Sequence, residues 1–535
     1  MAFGIINPAS NSQPQGTSLL ESLEGESNGN TGYVVLVPEP SASPDDPLNF
    51  SRVRKELMFG TLVLGACSMG VIGPILVPGF NIVAAEFGFT SLTKVTLLNG
   101  SLIIGLGVSS YLCACLSVVY GKRLVYITTT LLTLVSCIWA ATSKSYESLL
   151  VSRLFQGFGM GAFLSVAGTA SINDIFFVHQ RGLRVGVWNL AVTASINIAP
   201  TISAQVIIAL TWRWTFWLIS ITYGVVLGCV ILFLPETSFD RPIAQPSHLP
   251  TPCSQGSTHS GNDGEKKSAQ DMAAPVTDLD LGTTRPERTK VQKILGLGTF
   301  EIRHQRRVLW LCVSPVKTLL HPAVIWSCLT YSAVFTWMII QGAVAAQIFA
   351  APPYSLSAIG VGNLVGVAPL IGSILGTIIG GRLCDDISKF MAKRNGGIFE
   401  PEFRLVIMVP FLITMTVGSF GLGEAVHHGL SPYVCGVFLA ILNFAIGVGC
   451  TGIVAYSNDV CTNKPGEVFG IAMLIKSSFA FGLTFMLNDY LTNHGPRVFF
   501  ATWGGLTVGV SLLTIPMYIF GKCIRAWAQT NHIVV

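Results

Sequence analysis

Twelve apolar stretches, each close to 20 residues, recur along the chain in two sets of six, separated by one long polar segment. A helix rising 1.5 Å per residue needs about 20 residues to cross a hydrocarbon core about 30 Å thick. Backbone polar groups find no water inside lipid, so each crossing must be a helix or part of a closed barrel. Barrel strands alternate polar and apolar over about ten positions, whereas these stretches are apolar nearly all round. The pattern predicts an all-α polytopic membrane protein. Its first six spans are Leu57–Pro78, Thr93–Ser117, Leu124–Ala141, Leu149–Ile172, Leu183–Leu210 and Trp214–Leu234. The second six are Pro322–Ile348, Ala358–Leu383, Leu405–Gly423, Pro432–Tyr456, Val468–Leu487 and Val498–Phe520.

Orientation follows from where cations collect. Arg52, Arg54 and Lys55 precede the first span, Lys122 and Arg123 follow the second, Arg181 and Arg184 the fourth, and Lys389, Lys393 and Arg394 the eighth. The other side shows mainly Lys94, Lys144, Arg213 and Arg497. Both termini and the central loop are therefore expected in the cytoplasm. Residues 1–55, rich in Ser, Asn, Gly and Pro in their first 50 positions, are expected to be disordered and to hold no signal peptide. Two six-helix lobes, 56–235 and 322–521, flank a cytoplasmic loop over 236–321, and 522–535 form a tail. The loop reads as disordered from Pro242 to Gly282. From Arg288 to Lys317 it mixes cations with Ile, Leu, Phe and Trp, as does an amphipathic helix on an anionic leaflet or a plain solvated linker.

Composition narrows the function by exclusion. Charged residues are 11% of the chain, against roughly 25% in a soluble domain. A net charge of +5, scattered along the chain, does not suggest a nucleic-acid partner. The 13 cysteines lie mostly in apolar runs without CxxC or Cys/His ligand spacing, so neither metal nor other cofactor is expected. Gly157-x-Gly159 follows no strand and sits in a span, which excludes a dinucleotide loop. No Walker loop points to ATP, and no nucleophile–base spacing points to an enzyme. Six plus six spans around a long connection is instead how two-lobed secondary transporters are built.

Several segments carry a resemblance. Pro44 to Phe50 reads Pro-Asp-Asp-Pro-Leu-Asn-Phe. Arg153, Gln156, Gly157, Gly159 and Gly161 form a fourth-helix motif, and Asn173, Asp174, Phe177, His179 and Gln180 follow it. Arg394-Asn-Gly-Gly-Ile-Phe-Glu400-Pro-Glu402-Phe-Arg404-Leu follows span eight, and Pro516 to Lys522 with Arg525 close the chain. From Val34 onward the sequence resembles the major facilitator superfamily. Within it, the sequence is similar to the fungal branch of twelve-spanner drug:proton antiporters that includes the yeast histidinol and polyamine transporter. Phe50 replaces that branch's usual Trp. The superfamily's Gly-x-x-x-Asp-Arg-x-Gly-Arg-Arg loop is reduced to Gly121, Lys122 and Arg123 without its Asp, while Asp385 and Asp386 remain after span eight. The fifth-helix antiporter motif is degenerate over Asn197–Ala204, keeping Pro200 as an expected helix kink. That decay weakens the case for antiport.

A charge inside a span is costly and needs a reason. Arg153, with Gln156 a turn further on, is the family's fourth-helix arginine. Either it snorkels to the interface or, as the resemblance implies, it tunes a carboxylate in proton coupling. No carboxylate lies deep in the first six spans, and Glu86 is the nearest candidate. Lys476 falls near the middle of span eleven, too deep to snorkel easily. There it can meet a substrate anion, pair with a carboxylate or titrate, and an unpaired cation disfavours a polycationic substrate. Gln341, Gln347, Asn443, Tyr331, Trp337 and Asn99 can line a pocket or simply bond between helices. Gly121, Lys122, Arg123, Asp385, Asp386 and Arg394 are gating-loop candidates, able to lock the lobes by pairing.

The expectation is a secondary active transporter of a small organic molecule in the cell membrane, and the resemblance implies a monomer. Proton-coupled efflux of a secondary metabolite, toxin or drug leads. Uptake of an organic amine or nutrient is the alternative, and a non-transporting receptor is a third reading.

Overall fold

The computed structural model describes residues 3–6, 14, 16–19, 46–238, 316–461 and 465–531. Among them twelve helices are long and apolar enough to cross a membrane. These are α1 (Arg52–Glu86), α2 (Thr93–Tyr120), α3 (Lys122–Thr142), α4 (Tyr146–Val166), α5 (Leu183–Ala209) and α6 (Trp212–Phe233). They continue as α7 (Pro322–Phe349), α8 (Ala358–Arg394), α9 (Pro401–His427), α10 (Pro432–Val460), α11 (Gly466–Thr484) and α12 (Leu487–Thr530). Helices α1–α6 pack as one lobe and α7–α12 as the other. The expected disordered and amphipathic parts of the central loop lie almost wholly outside the described residues.

Local chemistry sets the helix starts. Ser51, Ser145 and Ser357 accept from backbone N–H groups in the first turns of α1, α4 and α8, at 3.4, 3.3 and 3.2 Å. Proline, preset for a first turn, opens α7 and α10. Within α1 the α-helix runs from Arg52 to Ile72, then tightens over Pro74–Gly79 before resuming over Phe80–Glu86. Pro74 offers no N–H, and the tightened turn redirects those that follow, which frees carbonyls of the preceding turn.

Small residues bring the helices close. A side chain at Gly157 of α4 would meet the Leu102 carbonyl of α2 at 2.1 Å, and one at Gly372 of α8 the Ala440 carbonyl of α10 at 2.0 Å. Glycine allows the backbone approach that holds these pairs together without a hydrophobic driving force.

Both chain ends lie on one face, where the Ile6 N–H donates to the Ile519 carbonyl at 3.1 Å. The expectation of disorder through residue 55 is corrected at the described stretches. Ile5 is buried against Met391, Ala392, Phe399 and Phe403, and β1 (Ser18–Leu19) pairs antiparallel with β2 (Ile398–Phe399). Asp46 accepts from the Leu48 N–H at 3.0 Å, and Arg54 stacks 3.9 Å from the centre of the Phe50 ring. Composition averaged over 50 residues dilutes these few anchors, of which Ile5 and Ser18–Leu19 rest on the second lobe.

Helix continues past the start of the expected tail at residue 522 as far as Thr530. Its Arg525 is buried and donates to Glu402 at 2.9 and 2.7 Å and to Glu400 at 2.9 Å. Lys522 reaches Glu400 at 2.6 Å, and the Thr17 hydroxyl donates to it at 2.7 Å. Burial pushes the Glu400 carboxyl up, but the hydrogen bonds from Lys522, Thr17 and Arg525 outweigh it and hold the group below its ordinary range. His321, just before α7, accepts from the Ala323 N–H at 3.2 Å. Burial, then the charge of Arg525, pushes its imidazole down to about 4.

Arg525→Ala removes the cation from two buried carboxylates and is expected to cost about 3–5 kcal/mol. A drop of several degrees in the melting temperature of the purified protein checks this. His321 binds its proton more weakly folded than unfolded. Its contribution to stability is therefore full above about 6.5, the ordinary histidine value, and is lost as pH falls toward 4. Melting temperatures measured from pH 7 to 4.5 should fall, and His321→Asn should flatten that fall.

Candidate functional site

Arg153 is fully buried in α4 and stands where α1 breaks. Its guanidinium donates to the carbonyls of Ile72 at 3.0 Å and Gly73 at 3.1 Å. It also donates to Gln156 Oε1 at 2.9 Å and Asn99 Oδ1 at 2.7 Å. The Phe216 ring lies 5.6 Å away, and Gln156 passes a bond on to the Ser136 carbonyl of α3 at 3.3 Å. One side chain thus ties α1, α2 and α4 together, and Gln156 adds α3. Snorkelling does not occur. Nor, among the described residues, does a carboxylate bond to it: Glu86 is the last residue of α1, paired with Arg213 at 2.7 Å and accepting from the Trp212 indole at 2.5 Å. The two terminal nitrogens of the guanidinium meet two carbonyls that the helix break frees and two side-chain amide oxygens, all neutral.

Lys476 lies in α11 with 3% of its surface exposed. Its ammonium sits 4.2 Å from the centre of the Phe335 ring of α7. Phe335 stacks on Tyr331 at 5.4 Å, and Tyr331 meets Phe469 of α11 at 6.5 Å. A recess beside this ring set is lined by Ser327, Tyr331, Ile453, Val454, Phe469 and Ala472 among others. Ala472 is one helical turn from Lys476, on the same face of α11.

The neutral polar candidates separate. Asn443 donates to Gln341 Oε1 at 2.8 Å, joining α10 to α7, while Gln341 Nε2 stays without a partner. Gln347 is elsewhere, donating to the Asn488 carbonyl at 3.3 Å and Thr492 at 2.8 Å near the face opposite the termini. The Trp337 indole is committed to Thr507 at 2.9 Å. Pro200 stays within a continuous helix, its carbonyl facing Gly362 of α8.

The gating candidates pair inside their own lobes. Lys122 bridges to Asp174. The backbone N–H groups of Lys122 and Arg123 donate to Glu236 at 3.0 and 3.1 Å, and the left-handed φ of 85° at Gly121 makes room for that carboxylate. Arg123 also donates to the Ile231 carbonyl at 2.8 Å. Asp385 pairs with Arg404 at 2.9 Å, and Arg404 also holds Asp459. Asp386 is exposed, and Arg394 lies over the Phe390 ring at 4.5 Å. The ion pairs of Lys122, Arg184, Arg213, Arg404, Arg497, Lys522 and Arg525 each join residues of one lobe.

Between lobes most contacts are uncharged, and the Thr93 hydroxyl of α2 donates to the Asp489 carboxylate of α12 at 2.9 Å. Helix α2 runs along α11, where a side chain at Gly107 would strike Ser477 at 2.4 Å and Asn488, at the start of α12, donates to Thr96 at 2.6 Å. Helix α5 packs on α8, where Asn197 donates to Ser373 at 2.9 Å and Thr201 to the Gly362 carbonyl at 3.2 Å. The degenerate fifth-helix motif is therefore interface. Sequence reasoning passed over Glu236, Phe335 and Phe469. Only the position of Glu236 just after a span hinted at the helix-start cap it provides.

Residues 58–484 match the profile of the Major Facilitator Superfamily. The chain belongs to that family. Protein HOL1 of Saccharomyces cerevisiae is 26% identical, covering 93% of this chain and 91% of the relative. Efflux pump radE of Floropilus chiversii is 24% identical, covering 83% and 76%. Among solved structures, the xylose transporter XylE from E. coli shares the fold at a TM-score of 0.56 with 12% identity, covering 87% of this chain and 97% of that one. This superfamily member is thus a multi-pass transporter built of two six-helix lobes.

Arg153→Lys keeps the charge but cannot reach four separate oxygens with a fork. It should lower stability by about 2 kcal/mol and reduce transport along with folded protein. Detergent-stability measurements on the variant check the first, and transport scaled to the amount of folded protein checks the second.

Proposed function

We propose that this chain is a secondary active transporter of the cell membrane that exports a small organic molecule in exchange for protons, with both termini in the cytoplasm. The observation that carries the reading is mechanical. Charged pairs stiffen each lobe internally, while the contacts across the lobes are small side chains and single hydrogen bonds, one of them to the exposed Asp489 carboxylate. Rocking one lobe on the other then breaks only weak contacts, as alternating access requires. Similarity to a protein named as an efflux pump supports the outward direction. The cation pattern supports the orientation, and the resemblance to drug:proton antiporters supports the proton. Arg153 is spent on α1, so Lys476 remains the better coupling candidate. The decayed fifth-helix motif favours a second reading, uptake of an organic nutrient.

Untargeted mass spectrometry of cells with and without the gene, comparing inside with outside and adding a protonophore, tests this. A compound retained inside when the gene is absent, and whose release the protonophore stops, is the expected outcome. Depletion inside would establish uptake instead, and an unchanged metabolite profile would leave a receptor.

A further inference from the structure

We propose that the substrate is an organic anion with an apolar, largely aromatic body, and that Lys476 is the charge its anionic group meets. The proposal rests on the transport reading and adds the substrate's chemical class. Five cations among the described residues are buried: Lys55, Arg123, Arg153, Lys476 and Arg525. Arg525 holds two carboxylates, Arg153 four oxygens, Lys55 the Leu48 carbonyl at 2.9 Å and Arg123 the Ile231 carbonyl. Lys476 has the Phe335 ring face and no hydrogen bond or ion pair with any described residue.

A ring face replaces only part of the hydration an ammonium gives up on burial. Each of the other four buried cations donates to at least one oxygen, and Lys476 donates to none among the described residues. An anion delivered by the substrate completes the shell, in surroundings where a charge-assisted bond is strong. The surface one helical turn from the ammonium along α11, joined to it through the Phe335–Tyr331 ring pair, describes the rest of that molecule. Tyr331, Phe335 and Phe469 form a ring set, with Ile453, Val454 and Ala472 continuing the apolar lining. Ser327 and Ser457 at the recess offer neutral hydroxyls. A cation placed there would meet Lys476 head-on, with no described carboxylate paired to that lysine to offset it.

The test uses the purified full chain in nanodiscs at pH 7.5 with three probes of one shape: 1-naphthaleneacetate, 1-naphthaleneacetamide and 2-(1-naphthyl)ethylamine. The acetate should bind about 10- to 100-fold tighter than the amide, the worth of one charge-assisted hydrogen bond, and the amine weakest. Lys476→Met should bring the acetate down to the amide, Lys476→Arg should keep the preference, and the amide should bind all three proteins alike. Equal or tighter binding of amide or amine to the wild type overturns the proposal, as does a preference that survives in Lys476→Met or a failure of all three probes to bind. Should the methionine variant not fold, the wild-type ranking decides alone. An anion preference that depends on Lys476, with no gene-dependent change in any cellular compound, would sink transport and keep the site. An exported compound that is neutral or cationic would do the reverse.

Discussion

A helix broken inside a bilayer exposes carbonyls that no water can reach, and the architecture of the first lobe depends on how that is resolved. Helix α1 tightens at Pro74, and Arg153 of α4 supplies the donors its last regular turn lacks. Because the guanidinium also holds Asn99 and Gln156, the break becomes a junction of four helices rather than a weak point. The cation needs no carboxylate, since four carbonyl-type oxygens directed at a delocalised charge make up for much of its lost hydration.

The same economy of charge runs through both lobes. At the face carrying the termini, Lys122 with Asp174, Arg404 with Asp385 and Asp459, and Arg525 with Glu400 and Glu402 fasten helix ends within a lobe. The interface between lobes relies on Gly100, Gly107, Gly362 and Gly366 against Thr484, Ser477, Ala204 and Thr201. Close backbone contact without ion pairs gives surfaces that adhere yet can separate. Phe3–Ile6 and Thr17–Leu19 sit on the second lobe although they precede the first helix of the first. The chain therefore ties itself to both lobes at the face bearing its ends.

Much of this was legible from one dimension. Span number, the six-plus-six division and the shared face of the termini follow from run lengths and cation positions, because membrane insertion depends on local apolarity. The segments around Arg153, Glu400 and Arg525 were visible as a family resemblance. Their partners were not. Arg153 meets carbonyls about 80 positions earlier, and Arg525 meets Thr17, more than 500 positions away. Gln347 and Gln341 share a helix and a residue type, yet one bonds near the far face and the other deep within its lobe.

The sequence by itself therefore determined a twelve-helix transporter of the Major Facilitator Superfamily and the presence of charges in its spans. Only the tertiary structure decided what each charge does: Arg153 closes a helix break, the loop cations stay within their lobes, and Lys476 faces the Phe335 ring. Insertion reads each segment alone, whereas the fate of a buried charge is fixed by whichever helix packs beside it, a relation that no local pattern encodes.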